Sequence, residues 1–382
     1  MILQWMDNAY QNGHSQLLPD ETIYREALTT IAGRVNIPEV GELADKTLAA
    51  IKQRMVPDSI SYGLAIQAWK NMAISKECEN REAACKRALG LLQEMTKAYH
   101  RTTKVTVKPT TRDYNNVLEA FTVSKSPKAT ETAGALLSAF EEAAKSEIDG
   151  KSETGSLRPN ANTYKFVFEI LANSKMSNKV PRAEEVLQQM MQQPVQVLEE
   201  GSGKESILAA FNSFIRVCAN PSVKDEMERR KIMKIAFKAV DDMRALGLRP
   251  NAGTYTALLE ASHNLLPEGN DRQRVVETVF QSCCEEGYVD QTVLEKLQSA
   301  ASTYLYTKLV VAHSEEVENM KVVPESWTRN ITAFLVNTQE GRKVLPLSIE
   351  GKFTFTRAAA DYKMRKLRRR ENQSFLQGGR LK

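Results

Sequence analysis

Glycine and proline are both scarce in this chain of 382 residues, at 18 and 13. That scarcity excludes collagen-like and low-complexity chains and argues against a turn-rich all-β fold. No run approaches the roughly 18 uninterrupted apolar residues of a membrane span, so no membrane association is expected. The five cysteines (Cys78, Cys85, Cys218, Cys283, Cys284) form no CxxC pair and are odd in number. They read as reduced thiols, without disulfides or structural zinc. Histidine is rarer still: His14, His100, His263 and His313 stand in unrelated segments, and HExxH, GxxxxGK[ST] and GxSxG are all missing. No metal, cofactor or catalytic constellation is therefore expected, and the chain reads as a non-enzyme. The first twenty residues hold no Lys or Arg, so no secretory or transit peptide is visible. Leu3, Met6 and Tyr10 sit at helical spacing before Pro19, which makes residues 1–19 the end of a preceding repeat and implies an upstream segment.

What is present is an ordinary soluble composition, 42% apolar and 26% charged, with a formal net charge of +5. The charge is unevenly placed. Ten Lys or Arg face two acidic residues from Lys352 to Lys382, a surplus of eight, which leaves the preceding residues at −3. Polyanion binding must come from that tail or from one local face of the body.

A periodic pattern organises the rest. Each of Pro19, Pro57, Pro109, Pro159 and Pro250 is followed five positions later by Tyr24, Tyr62, Tyr114, Tyr164 and Tyr255. Positions three, four and seven beyond each Tyr are apolar except Ser262, and a proline-free segment keeps the register through Phe211, Phe214, Ile215 and Cys218. Such spacing is one stripe of an α-helix, since two turns take about seven residues. Second stripes follow each first one, as in Ala88, Leu91, Leu92, Met95 and Ala236, Ala239, Val240, Met243. A small Ala at the head of the second helix permits close approach, and proline ends the unit. A two-helix hairpin this small cannot bury both apolar faces alone, so the units stack. The expected fold is all-α: a right-handed α-solenoid of stacked antiparallel helix pairs over 20–337, about six to eight pairs with the last two degenerate. Residues 338–382 then form a basic, partly disordered tail. The Tyr-to-Tyr spacing exceeds the roughly 35 residues of a repeat. The surplus is assigned to polar stretches such as AISKECENREAAC, HRTTKVTV, KSEIDGKSETGS and EEGSGK, read as extended helix–helix turns or exposed loops, and a last helix is expected to carry Trp327, Ile331 and Phe334.

The strings VKPTTRDYNNVLEAF, LRPNANTYKFVFEIL and GLRPNAGTYTALLEAS, each leading into a helix such as AEEVLQQM or AFKAVDDM, resemble pentatricopeptide repeats. The resemblance covers residues 20–335. It implies a solenoid that lays single-stranded RNA along its concave face in a mitochondrion or plastid, reading one base per repeat. The implied function is sequence-tolerant RNA binding by a monomer in RNA processing, stability or translation. The alternative is a scaffold for a protein partner or an assembly factor.

Carried over by position, the resemblance assigns base reading to the residue after each Tyr and the residue after the next Pro. These are Arg25, Gly63, Asn115, Lys165, Asn212 and Thr256, and Asp58, Thr110, Asn160 and Asn251. Asn115 with Asn160, and Asn212 with Asn251, resemble pyrimidine-reading pairs, because an amide can both donate to and accept from a base edge. Asn and Asp beside proline also serve as helix caps. Gly63 offers no side chain, while Arg25, Arg112 and Lys165 suit phosphate. So do Lys363, Arg365, Lys366, Arg368, Arg369 and Arg370 of the tail. The position that flanks a base holds Thr22, Ile60, Arg112, Asn162 and Gly253, of which only Ile60 is the expected apolar type.

Overall fold

The structure, a computed structural model, describes Asn12 and residues 19–347, apart from 35–36, 103–104, 125, 127, 149–156, 200–202, 319, 334 and 339–341. Seven helix pairs follow one another among the described residues. They are α1 (Glu21–Ala32) with α2 (Val40–Arg54), α3 (Ser59–Ile74) with α4 (Arg81–Thr102), α5 (Thr111–Phe121) with α6 (Ala129–Ile148), and α7 (Ala161–Asn173) with α8 (Lys179–Gln192). After the five-residue α9 (Val195–Glu199) come α10 (Gly203–Ala219) with α11 (Glu226–Ala245), α12 (Ala252–Leu265) with α13 (Asn270–Glu286), and α14 (Gln291–Ala300) with α15 (Thr303–Leu309). The chain is an all-α repeat fold.

The proline junctions explain where first helices begin. Each proline is buried and is followed at once by the capping residue: Asp20, Asp58, Thr110, Asn160 or Asn251. The Asp58 carboxylate accepts from the Ser61 N–H at 2.8 Å, and the Asn160 and Asn251 side chains each accept at 3.2 Å from the N–H three residues on. A cap of this kind is worth about 1 kcal/mol.

The tyrosines are wedged between units as their spacing requires. Tyr24, Tyr62, Tyr114, Tyr164 and Tyr255 are all buried, and Tyr114 stacks on Phe140 of the second helix at 4.2 Å. The second-helix alanines Ala44, Ala88, Ala133, Ala183 and Ala236 are buried as well. Every first helix touches the next first helix, from α1–α3 through α12–α14, whereas consecutive second helices meet at most marginally. The first helices therefore form the closely packed inner row, and their exposed stripe lines the inner wall.

Far ends of first helices are sealed by a device absent from the sequence reading. Asn71, Asn173 and Asn264, each nine positions after its Tyr, donate to the carbonyls of Ala32, Thr122 and Ala219 on the preceding first helix, at 2.8, 2.8 and 2.9 Å. Buried Lys179 donates to the carbonyls of Ala172 and Ser174 at 3.2 and 3.0 Å, and buried Arg272 to that of Leu266 at 2.8 Å. Unpaired carbonyls at a helix end are costly when water cannot reach them, which is why a cation is tolerated there.

Three expectations need correction. Part of the surplus spacing lies in long second helices, 22 residues in α4 and 20 in α6 and α11, and AISKECENREAAC supplies the ends of two helices around a short turn. No last helix carries Trp327 and Ile331. Instead β1 (Glu315–Val317) pairs with β2 (Met320–Val322), a 3-10 turn spans Glu325–Trp327, and β3 (Val336–Asn337) pairs with β4 (Lys343–Val344). Trp327 meets the ring of Phe280 edge-on at 5.5 Å, and its carbonyl accepts from the Val289 N–H at 2.9 Å, so this segment closes the end of the array. Hydrogen-bonded structure continues past the expected boundary at 337, to an isolated bridge between Val322 and Pro346, with the Val323 N–H donating to the Leu345 carbonyl and the Leu347 N–H to that of Lys321. Residues 1–11 and Phe334, and the tail cations Lys363, Arg365, Lys366, Arg368, Arg369 and Arg370, lie outside the described residues.

Candidate functional site

One step beyond a core Tyr turns about 100° around the helix, so positions one, five and eight after it line the inner wall. There the structure brings the two sets of candidate residues together. Asn115 Nδ2 donates to Asn160 Oδ1 at 3.1 Å, and the Thr163 hydroxyl donates to Asn115 Oδ1 at 2.7 Å. Two repeats later the arrangement recurs: Asn212 Nδ2 donates to Asn251 Oδ1 at 3.0 Å, and the Thr254 hydroxyl to Asn212 Oδ1 at 2.6 Å. The candidate pairs are thus not free side chains awaiting a ligand. Each joins one repeat to the cap of the next, while one N–H of Asn115 and of Asn212 remains for an outside acceptor. At Gly253 a Cβ would lie 3.0 Å from Asn212 Nδ2 and 3.2 Å from Asn251 Oδ1, so the absence of a side chain gives the amide pair its room.

The first junction uses charge in the same place. Arg25 donates to Asp58 at 2.9 Å and to Glu21 at 2.6 Å, and Asp58 is at once the helix cap. At the second junction Thr110 is tied to Asp113, its N–H donating at 2.8 Å and its hydroxyl at 2.7 Å to Oδ2. Asp113 escaped the sequence reading. Its signal is the capping box, in which the residue three beyond the cap returns a hydrogen bond, and Thr163 and Thr254 hold the same position. Burial holds the Asp113 carboxyl above the ordinary Asp range.

Other candidates are engaged locally. The Thr256 hydroxyl donates to the Ala252 carbonyl of its own helix at 2.7 Å, Arg112 donates to Gln67 Oε1 at 2.8 Å, and Lys165 lies 3.9 Å from Glu169 and 4.9 Å above the Phe166 ring.

Cations along the wall meet carboxylates of adjoining repeats: Lys70 with Glu119 at 3.2 Å, Arg216 with Glu169 at 3.4 Å, and Lys296 with Glu260 at 3.1 Å. These pairs are partly exposed and worth little as stability. Their consequence is electrostatic, since a phosphate must compete with a carboxylate for each cation. Among the described residues, no group of three His, Cys, Asp or Glu side chains could hold a metal ion, and no helix is long and apolar enough to cross a membrane.

No family model and no curated protein matches the chain. Among solved structures, it is similar to the crystal structure of the pentatricopeptide repeat protein PPR10 from maize, at 15% identity and a TM-score of 0.23. That likeness covers 78% of this chain and 48% of the maize protein, so the chain spans about half of its length.

Proposed function

We propose that the chain binds single-stranded RNA along its inner wall as a pentatricopeptide-type solenoid, with low sequence specificity and without catalysing a reaction. The supporting observation is the pairing of Asn115 with Asn160 and of Asn212 with Asn251, each presenting an amide group at the junction of two repeats. The spare N–H of Asn115 or Asn212 suits a carbonyl oxygen of a pyrimidine, and one base per repeat follows from the stacking. Arg25, Arg112, Lys165 and the tail cations are the candidates for phosphate. In this reading the protein acts as a monomer in RNA maturation, stability or translation within a mitochondrion or plastid.

Fluorescence anisotropy with pyrimidine-containing RNA oligonucleotides tests it. The expected dissociation constant is on the order of micromolar at low salt, weakening steeply as salt rises through counterion release. An RNA pool that shows no affinity at low salt would end the proposal. A second reading is a protein-binding scaffold, favoured by the cations of the wall being matched to neighbouring carboxylates. Crosslinking in cells separates the two: RNA attached to first-helix peptides supports the former, and a stable protein partner without RNA crosslinks supports the latter.

A further inference from the structure

The junction at Gly63 differs from those at Asn115 and Asn212. Where they place an amide, it has no side chain, and a carboxylate from the next repeat occupies the gap. A Cβ on Gly63 would stand 2.6 Å from Asp113 Oδ1. Asp113 is 3% exposed. Its Oδ2 takes both Thr110 hydrogen bonds, and Oδ1 receives none from the described residues. Ile60, one helical turn before Gly63, is 51% exposed, and Arg112, beside Asp113 in the chain, is held by Gln67.

We propose that Ile60, Gly63 and Asp113 form a nucleobase notch that selects guanine through the free oxygen of Asp113. The inference rests on the RNA-binding reading and adds a specificity residue outside the two positions assigned by resemblance. A carboxylate only accepts hydrogen bonds, so the ligand must offer N–H groups. Guanine presents two adjacent donors, N1–H and the N2 amine. Uracil offers a single N3–H between two carbonyls, whose lone pairs face the carboxylate unfavourably. Cytosine and adenine each set one amine beside a ring acceptor. Ile60 supplies an apolar flank for the flat face of the base. The same vacancy that costs Gly63 a reading side chain thus lets a buried acid reach the wall.

The test uses the whole chain and fluorescent oligouridines carrying one guanine, stepped through each position, with inosine as the control lacking the N2 amine. Guanine at one register is expected to tighten binding roughly ten- to a hundredfold, the worth of one hydrogen bond to a charged group. Inosine should lose most of that gain. Asp113→Asn should abolish the guanine gain. Gly63→Ala should do the same, since the new methyl takes the space beside Oδ1. Alanine suits a helix interior, and an unchanged melting temperature shows that this variant folds. A guanine gain that survives both substitutions, or no gain in a protein that binds oligouridine, overturns the notch and leaves RNA binding standing. Failure to bind any RNA overturns both.

Discussion

Asn115 and Asn160 stand 45 positions apart in the chain, yet the amide of one donates to the amide oxygen of the other at 3.1 Å, and that same oxygen caps the next first helix. One hydrogen-bonded unit therefore sets both the stacking of two repeats and the polar group offered to the inner wall. Stability and recognition are coupled there.

Replacing Asn115 with Ala should accordingly cost stability as well as selectivity. The Thr163 hydroxyl loses the nearer of its two acceptors and the Asn160 oxygen one of its donors, a loss on the order of 1–2 kcal/mol. Chemical denaturation of Asn115→Ala, Asn160→Ala and the double variant measures the coupling. Strictly additive costs would show that the pair does not act as a unit. Ala at both Asn115 and Asn212 should further relax base preference without abolishing RNA binding.

Asp113 gives a pH dependence of definite sign. Its folded-state pKa lies above the ordinary Asp value because burial disfavours the charged carboxylate. Such a group contributes stability that is fully present below the unfolded pKa, about 3.9, and is lost as pH rises through the folded value. Relative to Asp113→Asn, the native chain should become progressively less stable from about pH 4 towards neutrality. Urea midpoints of the two proteins, taken across that range, should diverge; parallel curves would contradict the burial argument.

Lys179 is a buried cation whose role is to satisfy carbonyls. Burial lowers its pKa, and its ammonium holds the Ala172 and Ser174 carbonyls at the end of α7. Lys179→Met keeps the packing volume and removes both hydrogen bonds, so roughly 1–3 kcal/mol should be lost. Hydrogen exchange ought to quicken first at the α7–α8 turn. If protection there is unaltered, the carbonyls have another partner.

Trp327 seals the last repeats through Phe280 and the Val289 N–H. In a one-dimensional stack each unit depends on its neighbours, and a cap protects the terminal ones most. Trp327→Ala should therefore accelerate hydrogen exchange in α13 and α14 while leaving α3 to α7 as they were. A uniform loss of protection along the array would mean that the cap acts globally.

Much of this architecture could be read from the linear pattern. Proline, then a small polar residue, then Tyr and its apolar followers define a first helix with its start and its buried stripe, because capping and amphipathic burial are local in sequence. The resemblance to pentatricopeptide repeats, carried over by position, marked Asn115, Asn160, Asn212, Asn251 and Asp58 as special positions. It did not reveal that they bond to one another, that Asp113 fills the space at Gly63, or that Asn71, Asn173 and Asn264 seal the far ends of the row. Those partners lie 33 to 51 residues apart, at distances set in part by how far each second helix runs. The segment around Trp327 misled because Trp and Ile at helical spacing also suit a strand-and-turn cap, and only contact with Phe280 and Val289 chooses between them. Sequence alone, then, determined the helices and the faces they bury. Tertiary packing decided which polar groups of the inner wall are spent on one another and which are left for a ligand, since a hydrogen bond between repeats exists only once their separation is fixed.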